Sequence, residues 1–221
     1  MVFMIRRILL CCLCGGFSLC SKLFGGTVPS SLRDRGAPAV SDANSRSARR
    51  IAHWAREKQV GELPRLFSPD VVARLAGFVQ QDNGCGRACA LALTYVAERL
   101  PEELLARHFT ADVVTQLANW VHVDDLRGSR CAYALCQLVN RMSTIDLEDR
   151  FSLESTEALA TQVFVEKSSG TFCARAFIRL IQRLPSREIA AHCLPLATED
   201  FEYRLAADEP IGVRGLAAFI L

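Results

Sequence analysis

The chain has 221 residues, of which half are hydrophobic, 23% are charged and 8% are aromatic, a balance that suits a packed fold rather than a disordered tail. The formal net charge of +2 is unevenly distributed, because residues 1–50 contain eight Arg or Lys and two Asp, which leaves 18 basic and 22 acidic residues after position 50. The larger part of the chain is therefore mildly acidic, and its overall charge gives no support for nucleic-acid binding.

Residues 1–24 are an apolar leader, in which Arg6 and Arg7 precede a hydrophobic stretch over residues 8–20. The stretch is shorter than the ~20 residues that a membrane-spanning helix needs. The leader fits a secretory signal or an anchor that is palmitoylated at its cysteine cluster. It also fits a mitochondrial presequence, because no acidic residue precedes Asp34. A misassigned gene start would look the same. We expect a cytoplasmic protein. Membrane association through residues 1–24, secretion and mitochondrial import all stay open as alternatives. Residues 25–43, rich in Gly, Ser, Pro and Arg, are predicted to be a flexible linker.

Residues 44–221 are predicted to form one repeat domain with a period of 42. Phenylalanine, glycine, cysteine, leucine and arginine each recur at this spacing in a single frame, which chance does not explain. A period of about 40–47 residues with two or three helices per unit is typical of HEAT and armadillo solenoids. The recurring residues are Phe67, Phe109 and Phe151; Gly86, Gly128, Gly170 and Gly212; Cys89, Cys131 and Cys173; Leu75, Leu117 and Leu159; and Arg99, Arg141 and Arg183.

The second unit shows most clearly that each repeat contains three helices. Pro101 is predicted to begin a short helix, and Thr110 to cap a second helix over residues 111–121, as Ser68 and Ser152 do in the neighbouring units. A third helix is predicted from about Ser129 to Met142. Its apolar residues share one helical face and are expected to be buried against both neighbouring units. They are Cys131, Ala134, Leu135, Leu138, Val139 and Met142.

The order of a short helix, a medium helix and a glycine-led long helix, with stretches such as ALTYVA at 92–97 and ALCQLV at 134–139, resembles the armadillo repeat. The resemblance covers residues 44–221. It implies an all-α fold, a right-handed α-solenoid of three whole armadillo-type repeats with partial units at both ends. HEAT repeats are the near alternative, and the proline-led short helices favour the armadillo type. The last residues, GLAAFIL, are predicted to form an apolar half-helix without a polar cap, so we expect a truncated gene product or an end covered by a partner or by self-association.

Armadillo-like proteins bind extended partners along a concave groove that their third helices line, and the resemblance implies the same here. Side chains at i, i+4 and i+8, away from the core stripe, are predicted to point into this groove. In the preceding partial unit Glu57 takes the third of these positions. The predicted groove residues are Arg49, His53, Leu91, Tyr95, Arg99, Tyr133, Gln137, Arg141, Arg175, Arg179 and Arg183.

The predicted groove is basic and aromatic, and guanidinium groups suit carboxylate or phosphate ligands. These residues favour a protein–protein interaction scaffold that binds an extended acidic or phosphorylated segment. A single-stranded RNA-binding helical repeat is the alternative. The basic peptides held by nuclear-import adaptors of this fold are disfavoured, because the arginines of the third unit would repel them. A simpler interpretation of Arg99, Arg141 and Arg183 is that they complement the dipoles of helix C-termini.

The sequence predicts no catalytic residue, cofactor or metal site. The four histidines are scattered, and the HExxH, GxSxG and phosphate-loop motifs are absent. Four of the ten cysteines lie in the leader, and the others lack the two close pairs that structural zinc usually uses. The column Cys89, Cys131 and Cys173 is expected to pack in the core, and Trp54 and Trp120 are expected to be packing residues rather than stacking platforms.

Overall fold

The computed structural model describes residues 45–81, 84–123, 126–184 and 193–200. All the regular elements within these ranges are helices, which confirms the prediction of an all-α fold. The leader, the linker and the apolar C-terminal segment lie outside the described residues. So do Pro185, His192 and Gly212, which the sequence places in the columns of Pro101, His108 and Gly128.

The helices repeat the predicted order of short, medium and long. A first long helix, α1, precedes three sets of this kind, and residues 193–200 are again helical. A 3-10 turn, Val60–Glu62, separates α1 from the first set. The bounds are Ser45–Glu57 for α1, Leu63–Leu66 for α2, Pro69–Val79 for α3, Gly84–Arg99 for α4, Glu102–His108 for α5, Ala111–Ala118 for α6, Leu126–Arg141 for α7, Thr144–Arg150 for α8, Leu153–Ala160 for α9 and Ser168–Arg183 for α10.

Contacts between the helices follow the repeat. The long helices pack in chain order, α1 on α4, α4 on α7 and α7 on α10, and the medium helices do likewise, α3 on α6 and α6 on α9. Within each unit the medium helix also packs on the long one. Because the apolar stripe of a long helix meets both neighbours, each unit is stabilised mainly by adjacent units.

The predicted core stripe is confirmed in the three long helices. In the second unit all of its members, from Cys131 in α7 to Met142 just after it, are at most 2% exposed, and the matching residues of the first unit are equally buried. In α10 the match holds except at Ile181, which is partly buried. The cysteine column Cys89, Cys131 and Cys173 lies in the core, as predicted.

The phenylalanine column ends each short helix. The backbone N–H of Phe109 donates to the carbonyl oxygen of Leu105, after which the chain leaves the helical conformation. Phe67 and Phe151 occupy the same position after α2 and α8. All three rings are at most 2% exposed, so this column both closes the short helix and fills the core beside it.

The glycine column marks a close backbone approach. Each glycine is the third residue of its long helix, and the chain before that helix folds back across it. A Cβ at Gly86, Gly128 or Gly170 would lie 2.2, 2.1 or 2.0 Å from a backbone carbonyl oxygen, nearer than real Cβ atoms approach. The oxygens belong to Gln81, Val123 and Val165 respectively.

Several predicted helix ends differ from the observed ones. Pro101 precedes α5, which begins at Glu102. The long helix of the second unit begins three residues earlier than predicted, at Leu126, and α6 ends at Ala118 because the chain turns there. Thr110 stands at the N-cap position of α6, but its side chain does not accept a capping hydrogen bond. Ser152 does cap α9, where its hydroxyl accepts from the backbone N–H of Ser155 at 3.2 Å.

Candidate partner-binding groove

The predicted groove residues all lie on the long helices α1, α4, α7 and α10, and none of them is buried. We call this set of residues the long-helix face. Arg49, His53, Arg175 and Arg179 are exposed, while the others are half-buried between neighbouring helices. The face therefore has exposed cationic groups at its two ends, in α1 and in α10, and a more enclosed middle.

The arginine column of this face makes a specific contact with the backbone of the preceding unit. In Arg141 the Nη1 group donates to the carbonyl oxygen of Ala97 at 2.7 Å, and Nη2 donates to that of Leu100 at 2.8 Å. Its Nε lies 3.6 Å from an Oε1 of Glu102. Arg99 and Arg183 repeat the carbonyl contacts one unit before and after. Their acceptors are the carbonyl oxygens of Ala55, Arg56 and Lys58 for Arg99, and of Val139 and Met142 for Arg183.

These contacts refine the simpler interpretation of the arginine column. The guanidinium groups do complement helix C-termini, but the termini are those of the preceding long helix, whose last carbonyls have no partner within the helix. The guanidinium groups of Arg99, Arg141 and Arg183 thus join consecutive units, and their contact with a ligand stays a prediction.

A cavity of about 420 Å³ opens on the long-helix face between α1 and α4. The structure brings the predicted residues Arg49, His53, Leu91 and Tyr95 together in its wall. We call this cavity the α1–α4 pocket. The remaining lining residues are Ala52, Arg56, Gly84, Arg87, Ala88 and Arg130.

Three arginines of the α1–α4 pocket, Arg56, Arg87 and Arg130, were not among the predicted groove residues. Arg87 continues the i, i+4 series of Leu91 and Tyr95 by one turn toward the helix N-terminus, so the spacing could have revealed it. Arg130 belongs to the next unit, and its Nη1 donates to the carbonyl oxygen of Arg87 at 2.9 Å. That approach depends on how α4 and α7 pack, which the sequence pattern does not show.

On the middle helix α7, the long-helix face presents Tyr133 and Gln137 before Arg141. The ring of Tyr133 meets that of Phe172 edge to face, with the ring centroids 4.8 Å apart. Burial raises the pKa of Tyr133 above its usual value, the nearby Glu98 and Cys136 act in the same direction, and a hydrogen bond with Gln137 opposes them. Glu98 therefore places negative charge beside the centre of the face.

The third unit carries a second basic region. Arg175 and Arg179 are exposed on α10, and both lower the pKa of the buried Cys136 thiol on α7. Burial outweighs them, so the pKa of this thiol is raised overall. The two arginines are therefore close to α7, at the opposite end of the long-helix face from the α1–α4 pocket.

The tryptophans and the buried histidine lie apart from the long-helix face. Trp120 packs partly against the core, and the guanidinium carbon of Arg127 lies 4.7 Å from its ring centroid. Arg127 is 4% exposed and donates to backbone carbonyls at the end of α3, among them that of Gln81 at 3.0 Å. His108 is buried and bonds the carbonyl oxygen of Leu104. Trp54 is half-buried, with the guanidinium carbon of Arg50 5.9 Å from its ring centroid.

Within the part of the chain that the structure describes, no three His, Cys, Asp or Glu residues are grouped as metal ligands would be. The same residues contain no helix that is long and apolar enough to cross a membrane. A scan against models of known protein families finds none that matches this chain, and searches of curated proteins and of solved structures also find no match.

Proposed function

We propose that this chain is a protein-interaction scaffold, a right-handed solenoid of armadillo-type repeats that binds an extended acidic segment along its long-helix face. The observation that carries the proposal is the α1–α4 pocket. Four arginines and a histidine line it, and none of its lining residues within the described part of the chain is acidic. A concave site with this charge recognises carboxylates or phosphates, because guanidinium groups bind both in paired hydrogen bonds.

The alignment of the two basic regions supports an extended ligand rather than a compact one. The α1–α4 pocket involves α1 and α4, whereas Arg175 and Arg179 lie on α10, and α7 stands between them. Consecutive long helices in contact are typically 8–10 Å apart. A segment that reaches both basic regions must therefore cross at least two helix-to-helix steps, from α4 to α7 and from α7 to α10, which suits an extended peptide.

A peptide fits the face better than single-stranded RNA does. An RNA strand carries a phosphate at every nucleotide, and proteins that bind single strands track this backbone with a continuous basic groove. The middle of the long-helix face instead presents Tyr133 and Gln137, with Glu98 beside them. A peptide with acidic groups toward its two ends matches this distribution of charge.

The test is a direct binding measurement on the full chain. Fluorescence anisotropy would compare a labelled extended peptide that contains glutamates at both ends, a lysine version of it and a single-stranded oligouridine. We expect the glutamate peptide to bind, and Arg175→Glu together with Arg179→Glu to weaken it by about tenfold or more, since two charge-assisted contacts are replaced by repulsion.

A matched control is available on the short helices. Arg65 in α2 and Arg107 in α5 are both exposed, so their replacement by glutamate changes the net charge equally and leaves the long-helix face intact. Equal loss of binding in both double variants would show a non-specific charge effect and would contradict the proposal. Tighter binding of oligouridine, with affinity that falls steeply as salt rises, would favour the RNA alternative instead.

A further inference from the structure

We propose that the α1–α4 pocket is a binding site for an aromatic ring that carries a phosphate, and that its occupant is a phosphotyrosine of the extended partner. The inference rests on the proposed peptide-binding function and adds the chemical identity of the anchoring side chain. It is carried by three features of the pocket, namely its volume, the apolar character of its wall and the number of arginines in that wall.

The volume of the α1–α4 pocket is larger than a phosphate group requires. At about 420 Å³ it lies within the range of about 300–1,000 Å³ that is typical of small-molecule sites. A glutamate or a phosphoserine places its charge on a short aliphatic stem, which would leave much of this space to water. A phenyl ring between the backbone and the phosphate fills more of it.

The wall of the pocket is partly apolar. Ala52 and Ala88 are at most 5% exposed, and Leu91 and Tyr95 are half-buried and pack against the core. Small alanine side chains leave room for a flat group, and the ring of Tyr95 can meet another ring edge to face or offset. These residues suit an aromatic ring, whereas they add no charge that would attract a bare anion.

The remaining lining is basic. Arg49, Arg56, Arg87 and Arg130 all contribute to the pocket, together with His53. The Nε of Arg56 lies 3.4 Å from an Oε1 of the exposed Glu57, so this guanidinium is already partly neutralised. Four guanidinium groups in one wall favour a phosphate monoester, with a charge of about −1.5 to −2 near neutral pH, over a single carboxylate.

The structure also holds part of this basic lining in place. Arg130 reaches back from α7 to donate to the carbonyl oxygen of Arg87, and Arg99 ties the end of α1 to α4 through the carbonyl oxygens of Ala55 and Lys58. The helices that form the wall are thus connected before a ligand arrives. Such preorganisation reduces the ordering cost of binding.

The first experiment uses small probes, so that it does not depend on the sequence of the partner. Backbone amide resonances of the isotope-labelled full chain would be followed by NMR during titration with phenyl phosphate, inorganic phosphate, phenol and uridine monophosphate. We expect phenyl phosphate to bind roughly tenfold more tightly than inorganic phosphate because its ring buries apolar surface, and phenol to bind weakly. Equal affinity for the two phosphates would overturn the ring site, and a preference for uridine monophosphate would assign the pocket to a nucleotide.

Variants then locate the site. Arg49→Glu combined with Arg87→Glu should weaken phenyl phosphate by about tenfold or more, whereas Arg175→Glu combined with Arg179→Glu should leave it unchanged. Circular dichroism and thermal melting would establish that each variant is folded. Because Arg49 is exposed, the single variant Arg49→Glu provides a milder change, with a smaller loss expected, if the double variant is unstable. Unchanged affinity in a folded Arg49→Glu chain would contradict the assignment.

The final experiment separates this inference from the proposed function. The glutamate-ended peptide described above would be compared with versions that contain one phosphotyrosine, one phosphoserine or one unmodified tyrosine. A phosphotyrosine preference of about tenfold that disappears with Arg49→Glu supports the inference. Binding of all four peptides with equal affinity would refute the pocket's specificity and leave the scaffold function standing, whereas binding of none of them would refute both.

Discussion

Replacing Gly128 with alanine tests the repeat at the point where its sequence and structure are most tightly connected. The added methyl group would lie 2.1 Å from the carbonyl oxygen of Val123 and 3.1 Å from that of Trp120. Real Cβ atoms essentially never come within 3.0 Å of such an atom, so the backbone must move by roughly 1 Å. The obstacle is main chain, and no side chain can rotate away to relieve it.

The expected magnitude follows from two opposing effects. Overpacking of this kind costs typically about 1–3 kcal/mol, and a rigid backbone obstacle favours the upper part of that range. Alanine gains about 1 kcal/mol over glycine as a helix former. We therefore expect Gly128→Ala to lower the free energy of unfolding by about 2 kcal/mol, with a thermal midpoint lower by about 4–8 °C for a chain of this size. Gly86→Ala and Gly170→Ala should behave alike, since their contacts are equally short.

Gly77 provides a matched control within the same chain. It lies inside the helix α3, and an added Cβ would meet no atom within 4 Å. Gly77→Ala should therefore stabilise the protein by about 0.5–1 kcal/mol through helix propensity alone. Urea unfolding followed by circular dichroism would measure both variants. If Gly128→Ala proved as stabilising as Gly77→Ala, the close backbone approach would be wrong.

Four further substitutions test three other features by the same unfolding assay or by absorbance. Arg141→Met leaves two carbonyl oxygens at the end of the preceding long helix without their charged donor, so we expect a loss of about 1–3 kcal/mol; no loss would contradict the inter-unit contact. Ser152→Ala removes a real N-cap and should cost about 1 kcal/mol, whereas Thr110→Ala, which removes no capping hydrogen bond, should cost clearly less. Burial is the main cause of the raised pKa of Tyr133, so folding favours the neutral phenol. This effect stabilises the folded chain fully below the unfolded pKa of about 10, and the stabilisation is lost as the pH rises toward the pKa of the folded state. The ultraviolet titration of the chain should thus lose its late-ionising component in Tyr133→Phe, and an unchanged titration curve would refute this.

The sequence alone determined the features of this protein that depend on local physics. The 42-residue period located three sets of helices, because apolar residues at a spacing of three and four select a helix and one face of it. The buried stripe from Cys131 to Met142 follows from that spacing. The series outside the buried stripe of α4, which contains Leu91 and Tyr95, identified part of the pocket wall for the same reason.

Only the tertiary structure decided what lies opposite these residues. The sequence placed Arg141 near a helix end, but its hydrogen-bond acceptors belong to the preceding unit, 44 and 41 positions earlier. Gly128 recurs in the sequence, yet the carbonyl oxygen that excludes a side chain is visible only once the preceding loop is folded across the helix. Arg56 and Arg130 likewise join the pocket through helix packing. A periodic pattern fixes the direction of a side chain from its own helix, whereas the partner that it meets depends on how neighbouring helices approach.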